Sequence, residues 1–348
     1  MVKIIPYILF YMGVFSAPQV LAQVGGRNSF EFLRIPPDAR TAGLGGVNIS
    51  AAQGDVNRFV ANPALLNDSL ANKAAFSYNP WQADIAYFNV AYTHRFKKIG
   101  LVGFQAQAIP YGQMPITDAS GAVNGTFKAN DFAIGITKTF RQDYFTYGAT
   151  LKLLGSQVET YNAYGLALDI GGTFRHPKHD LTVGIAFKNL GFAVNNYAVA
   201  RTYLPFDIQL GASYKPEYMP FRFSLTLHHL HQFDIVYLDP TQSTQLDANG
   251  NPVAENKTLG DKLLRHFVLG SELILAKGFQ VLLGYNHLIN REMRVQNLTG
   301  LRGFSFGFRL SAKVWSFSYA HGTYYVGAGR NFLTLSGDLS KILRKKKK

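Results

Sequence analysis

His228, His229 and His231 are the closest-spaced group in the chain that could do metal chemistry. A metal centre needs three or four converging ligands. On a period-two strand, His229 and His231 share one face and His228 points to the other. The expectation is therefore a rim feature, not a metal site. Asp247 to Asn251 follows the calcium-loop pattern only faintly. It lacks the spaced acids and the terminal bidentate Glu, so it reads as a turn. The chain has no Cys, and it has neither a Gly-x-Ser-x-Gly nor a His-Glu-x-x-His motif. The Ser, His and Asn of a barrel-wall lipase are all present, but no spacing marks them as a set. The residues call for no catalytic group, no cofactor and no metal, so an enzyme is not expected.

A second group could act through charge. Lys152, Lys188, Arg222 and Arg309 fall on the polar faces of alternating segments. Buried single charges need a partner or solvent. The expected partners are Glu31, Asp38 and Asp55 of the N-terminal region. That pairing would hold the region inside a surrounding wall.

These charges have to be positioned by two kinds of element. One is the stretch Ala39–Leu66, rich in small residues and weakly patterned. Gly43, Gly45 and Gly46 permit tight turns and close backbone approach. Val56, Phe59, Val60, Ala64, Leu65 and Leu66 make a short apolar, helix-like face. Asn62-Pro63 marks a turn or helix start, because Pro restricts the residue before it and suits the first helical position. The other element is nearly everything after Ala74, which alternates. Phe132, Ile134 and Ile136 oppose Ala133, Gly135 and Thr137, and Phe304, Phe306, Phe308 and Leu310 oppose Ser305, Gly307, Arg309 and Ser311. Leu181 to Lys188 and Asp207 to Tyr214 repeat the pattern. Many segments run to about 11–14 residues, the length of tilted membrane strands rather than of ordinary globular ones.

About 14 strands are expected, near 73–79, 84–96, 99–110, 129–141, 144–157, 161–175, 180–192, 206–215, 220–233, 263–276, 278–289, 302–312, 314–322 and 330–340. Tight connections alternate with longer ones, notably Tyr111–Lys128, Ala193–Pro205, Asp234–Lys262 and Asn290–Leu301. Short periplasmic turns and long outer loops sort in this way in outer-membrane barrels. An even strand count then puts both termini in the periplasm. Lys97, Lys98, Arg141, Lys178, Lys215, Lys277 and Lys313 gather on that rim. The fold class is all-β: a transmembrane antiparallel barrel with an N-terminal plug.

Composition agrees. Aromatics are 14% and charged residues 16%, with 33 Gly, 27 Phe and 19 Tyr but only 2 Trp. No run of about 20 apolar residues follows the N-terminus, so no spanning helix is expected. Residues 1–22 read as a signal peptide, with Lys3 before an apolar run and Val20-Leu21-Ala22 before Gln23. Residues 23–72 are then the plug, 73–340 the barrel and 341–348 a basic periplasmic tail. The net charge is +14, and Lys341, Arg344 and Lys345 to Lys348 supply six positive charges. A solvated tail explains that excess better than nucleic-acid binding does.

The plug carries a resemblance. Its small, Gly-rich residues followed by Asn62-Pro63-Ala64 resemble the hatch of FadL-type outer-membrane transporters, which are barrels of about 14 strands. Ser29 to Pro36, Ala39-Arg40, Ala42 to Gly46 and the run Asn62 to Leu66 are closer still to the PorV/PorQ group of type IX secretion barrels in Bacteroidota. Asn331 to Ser336 and Asp338 to Ser340 are similar to that group as well. The middle of the chain matches by length and pattern alone, and the Lys345 to Lys348 run departs from the group. The resemblance implies an outer-membrane accessory protein that holds a PorZ-like surface protein. It would act beside the PorU/PorV-type attachment complex, which joins cargo to anionic lipopolysaccharide. The alternative is a FadL-like transporter of hydrophobic small molecules, with an apolar pocket inside the barrel. A general porin is disfavoured by the plug. The long loop supplies the candidate partner surface, with Tyr237, Asp239, Asp247, Asn249 and Lys257.

Overall fold

The computed structural model describes residues 28–51, 54–81, 85–195, 203–236, 245–246, 252–253, 258–276, 278–292, 301–325 and 328–345. It divides into two compact units, Asn28–Val236 with Asn256–Lys348, and Met1–Arg27 with Tyr237–Glu255. In the second, smaller unit the described residues are one antiparallel pair, Gln245–Leu246 with Pro252–Val253. The signal-peptide segment and all five residues of the candidate partner loop lie outside the described residues.

The larger unit is a closed antiparallel barrel of fourteen strands. They are β1 (Lys73–Pro80), β2 (Ala86–Phe96), β3 (Gly100–Thr117), β4 (Val123–Gln142), β5 (Phe145–Val158), β6 (Tyr161–Arg175) and β7 (Asp180–Asn195). The others are β8 (Asp207–Lys215), β9 (Phe221–Leu227), β10 (Phe267–Ala276), β11 (Phe279–Asn286), β12 (Phe304–Ser311), β13 (Trp315–Tyr325) and β14 (Ala328–Asp338). Each strand pairs with its neighbours in sequence. The barrel closes where β1 meets β14, with Lys73 opposite Asp338 and Tyr78 opposite Leu333. Closure leaves no strand edge, which is why sheet can cross a bilayer. None of the described helices is long and apolar enough to cross a membrane.

Alternation behaves as the pattern predicts. Ile134, Ile136, Leu151, Leu153, Leu269, Leu283 and Phe306 project outward and are about half exposed, while Ala133, Thr137, Thr150 and Ser305 are buried on the inner face. An apolar outer band of this kind is the lipid-facing surface of outer-membrane barrels.

The differences lie at the strand ends. The expected loop Tyr111–Lys128 is mostly hairpin, since β3 runs to Thr117 and β4 starts at Val123. Asp118 makes the tight turn, accepting from the amides of Ser120 (2.9 Å) and Ala122 (3.0 Å). Three expected strands end or begin in other structure. β9 stops at Leu227, and Leu259–Leu264 and His287–Glu292 are short helices. Thr258 caps the first of these by accepting from Asp261 N at 3.3 Å, a local side-chain signal that overrides the apolar pattern of Leu263-Leu264. Leu339–Lys345 is also a helix, not the continuation of the last strand.

Inside the wall lies a chain of short elements: a 3₁₀ turn Glu31–Arg34, helices Ala39–Gly43 and Arg58–Ala61, and 3₁₀ turns Pro63–Leu65 and Asp68–Leu70. The predicted apolar face is buried. Val56, Phe59, Val60, Leu66 and Leu70 pack against Ala75, Ala91 and Leu101 of the first three strands. Full burial of such a side chain contributes about 1.5–3 kcal/mol, so this face is a main attachment of the hatch to the wall.

Candidate functional site

The hatch–wall interface is where the named motif residues converge. Asp38 caps helix Ala39–Gly43, accepting from Thr41 N (2.9 Å) and Thr41 Oγ1 (2.8 Å). The glycine run follows at once. Gly45 and Gly46 have φ of 95° and 89°, a left-handed conformation in which a side chain is strained. The turn they make lies on β11 and β12. Ser305 Oγ donates to Gly43 O (3.1 Å) and accepts from Gly45 N (3.0 Å), and Asn286 Nδ2 donates to Gly45 O (3.0 Å). The wall yields space in return: a Cβ on Gly284 would overlap the Gly45 amide, and one on Gly148 the Pro63 carbonyl.

Asn62 works as the sequence predicts. Its Oδ1 accepts from Ala64 N at 3.0 Å, capping the turn that Pro63 opens. Its Nδ2 donates to Ile49 O within the hatch (3.1 Å) and towards Ile185 O of β7 (3.4 Å). Pro63 and Ala64 are buried against the wall, and Ala64 O accepts from Thr173 Oγ1 at 3.5 Å. Asn48 and Ser50 complete the ring of contacts through Ser224 (2.9 Å) and Ser213 (2.6 Å).

The expected charge pairing is corrected. Lys152, Lys188, Arg222 and Arg309 do face inward, but the hatch carboxylates do not form their salt bridges. Asp38 is spent on its helix cap, Asp55 Oδ1 accepts from Asn57 N (3.0 Å), and Glu31 pairs with Arg34 (3.3 Å). The wall brings its own acids. Glu272 of β10 takes Arg40 of the hatch (2.6 and 3.0 Å) and Arg222 of β9 (2.9 Å). Arg222 also reaches Asp180, at 3.0 Å. Asp169 of β6 takes Lys152 (2.7 Å) and Lys188 (2.6 Å). The cations touch the hatch through backbone carbonyls, Lys188 at Val60 O (2.7 Å) and Arg309 at Gly54 O. Arg58, wholly buried, knits the hatch to itself through Thr41 Oγ1 (3.1 Å) and Asn48 O (2.8 Å) and Oδ1 (2.7 Å).

Arg40, Arg58, Glu272 and Asp169 were missed as functional groups. The signal for two of them was strand parity. Glu272 shares its face with Val268 and Gly270, and Asp169 shares its face with Ala167 and Gly171, both inward faces.

At the end of the barrel opposite Lys73 and Asp338, where Asn28 pairs with Tyr203, an apolar cluster is packed inside the wall. Phe30 and Phe32 pack with Tyr87, Ile109, Ala133, Leu154, Ala163, Ala167 and Leu204. Phe30 holds this place with φ at 61°, an uncommon conformation for a bulky side chain.

The histidines are also corrected. β9 ends before them, so they do not alternate across a strand. His228 and His229 face each other, with Nδ1 atoms 2.5 Å apart, and the His229 and His231 rings are 6.0 Å apart. Burial pushes His228 down to about 3, and the neighbouring His229 adds to the effect. His229 is also held at about 3, by burial and then by Arg34. Both rings are therefore neutral at physiological pH.

No family model and no curated protein matches this chain. Solved structures similar in fold include a mutant of the TodX monoaromatic hydrocarbon channel, at 11% identity, TM-score 0.47, and coverage of 86% of this chain and 96% of that one. A Pseudomonas aeruginosa FadL homologue is similar at 10% identity, TM-score 0.47, with 86% and 98% covered. The KdgM porin is similar at 7% identity and TM-score 0.33, with 76% and 98% covered. The neighbours of this barrel thus include FadL-type and porin barrels, and at these identities the likeness is one of fold.

Proposed function

We propose that this chain is a hatch-filled outer-membrane barrel that anchors a surface partner of a type IX protein-attachment apparatus, with the Lys73 and Asp338 end of the wall towards the periplasm. The observation that carries the reading is the construction of the seal. Arg40, Gly43, Gly45 and Asn62, which belong to the motifs resembling the PorV/PorQ group, are the residues that lock the hatch to the wall. Removing one partner of a buried pair such as Arg40–Glu272 costs about 3–5 kcal/mol, so these contacts hold the hatch to the wall. A closed barrel suits a membrane anchor that presents its outer end to a partner such as a PorZ-like protein.

A second reading has its own observation. The apolar cluster around Phe30 and Phe32, packed inside the wall, offers the surface that passage of hydrophobic small molecules would need once it opens. One experiment separates the two. A tagged copy is crosslinked in intact cells, recovered in detergent, and its partners and bound lipids are identified together. Recovery of a large surface protein of the PorZ or PorU type supports the anchor. A partner-free barrel carrying fatty acid or hydrocarbon overturns it in favour of transport.

A further inference from the structure

The histidine cluster has a third member that the sequence separates by twenty residues. Asp207 opens β8, and the turn after β9 brings His228 and His229 to it. One ligand atom from each of the three lies within 4.8 Å of the others. Tetrahedral zinc with bonds of about 2.0–2.2 Å needs ligand atoms roughly 3.3–3.5 Å apart, so the His228 and His229 Nδ1 atoms, 2.5 Å apart here, have to turn about 1 Å away from each other to share one ion with Asp207.

The surroundings are those of ligands held in place. Asp207 Oδ1 accepts from His229 N (2.5 Å) and Oδ2 from Gln209 Nε2 (2.7 Å), which fixes the carboxylate plane. The backbone of His228 is clamped by His266: its N donates to His266 O (3.0 Å), and its O is met by His266 Nδ1 (2.7 Å). His228 is 2% exposed, and its Nε2 has no hydrogen-bond partner among the described residues. His229 sits at φ 56°, a left-handed conformation that turns its ring back to His228. Arg34 is the nearby positive charge, and it is itself paired with Glu31 at 3.3 Å.

We propose that Asp207, His228 and His229 form a zinc site that ties the start of β8 to the turn after β9, with a fourth coordination position left open. Two imidazoles and a carboxylate are borderline donors of the kind zinc takes, and three protein ligands leave one position for water.

The test uses the full chain with a tag free of histidine, stripped with chelator, refilled with zinc, dialysed and measured for metal content. The expected result is one zinc per barrel. Asp207→Asn and His229→Gln, which each remove a ligand, should each abolish stoichiometric zinc, and Gln209→Ala should weaken binding by about 10–100-fold through the loosened carboxylate. The double variant His176→Gln/His179→Gln removes a stacked ring pair elsewhere and should keep full occupancy. Folding of each variant is read from its heat-modifiable migration on a gel. Cobalt absorption of the unmodified protein supplies a measurement independent of the variants, with intense tetrahedral bands expected. Absence of stoichiometric zinc, retention of it by the Asp207→Asn/His229→Gln variant, or weak octahedral cobalt bands would overturn the assignment.

Discussion

Two buried carboxylates, each held between two cations, stand on different arcs of the barrel wall. Glu272 lies between Arg40 and Arg222, and Asp169 between Lys152 and Lys188. The first joins wall to hatch, side chain to side chain. The second lies within the wall, and only Lys188 reaches the hatch, through the Val60 carbonyl. The difference is chemical as well as topological. A guanidinium cannot shed its charge, whereas an ammonium left without a counter-ion can. The arginine set is therefore a rigid lock, and the lysine set a more forgiving brace.

The comparison breaks most sharply at Glu272. Glu272→Gln removes the carboxylate that Arg40 and Arg222 share, and a loss of about 3–5 kcal/mol is expected. It would be read as a lowered temperature for the folded-to-unfolded shift on gels, together with protease entry at the hatch. Asp169→Asn should lose about 1–3 kcal/mol, because Lys152 keeps Asn189 Oδ1 and Lys188 keeps its carbonyl. Equal losses from the two variants would end the distinction. Gly284→Ala tests the lock without touching charge. Its Cβ meets the Gly45 amide, and overpacking of about 1–3 kcal/mol should raise protease sensitivity near Gly45 before that near Pro63. Asn62→Ala, on the brace side, removes a cap worth about 1 kcal/mol. Glu31→Ala removes a half-exposed pair and should shift the same transition by less than about 1 kcal/mol.

Much of this was legible in advance, for a physical reason. Period-two alternation is a property of the backbone, so the inner and outer faces of Phe132 to Thr137 and Phe304 to Ser311 could be read before any contact was known. Asn62-Pro63 and the Gly43 to Gly46 run were legible because capping and left-handed turns are local chemistry. The ends of β9 and β10 were not. His228 to His231 and Leu259 to Leu264 carry strand-like or apolar residues, and caps and cross-strand contacts decide their form.

The sequence by itself determined the barrel, the inward placement of Lys152, Lys188, Arg222 and Arg309, and the apolar hatch face from Val56 to Leu66. Each of these depends on spacing along the chain. Only the tertiary structure decided which acid meets which base, and that Asp207 meets His228 and His229. Such partners are far apart in sequence, with Arg40 and Glu272 separated by 232 residues. Their meeting depends on the register of fourteen strands and the path of the hatch between them, which no local pattern encodes.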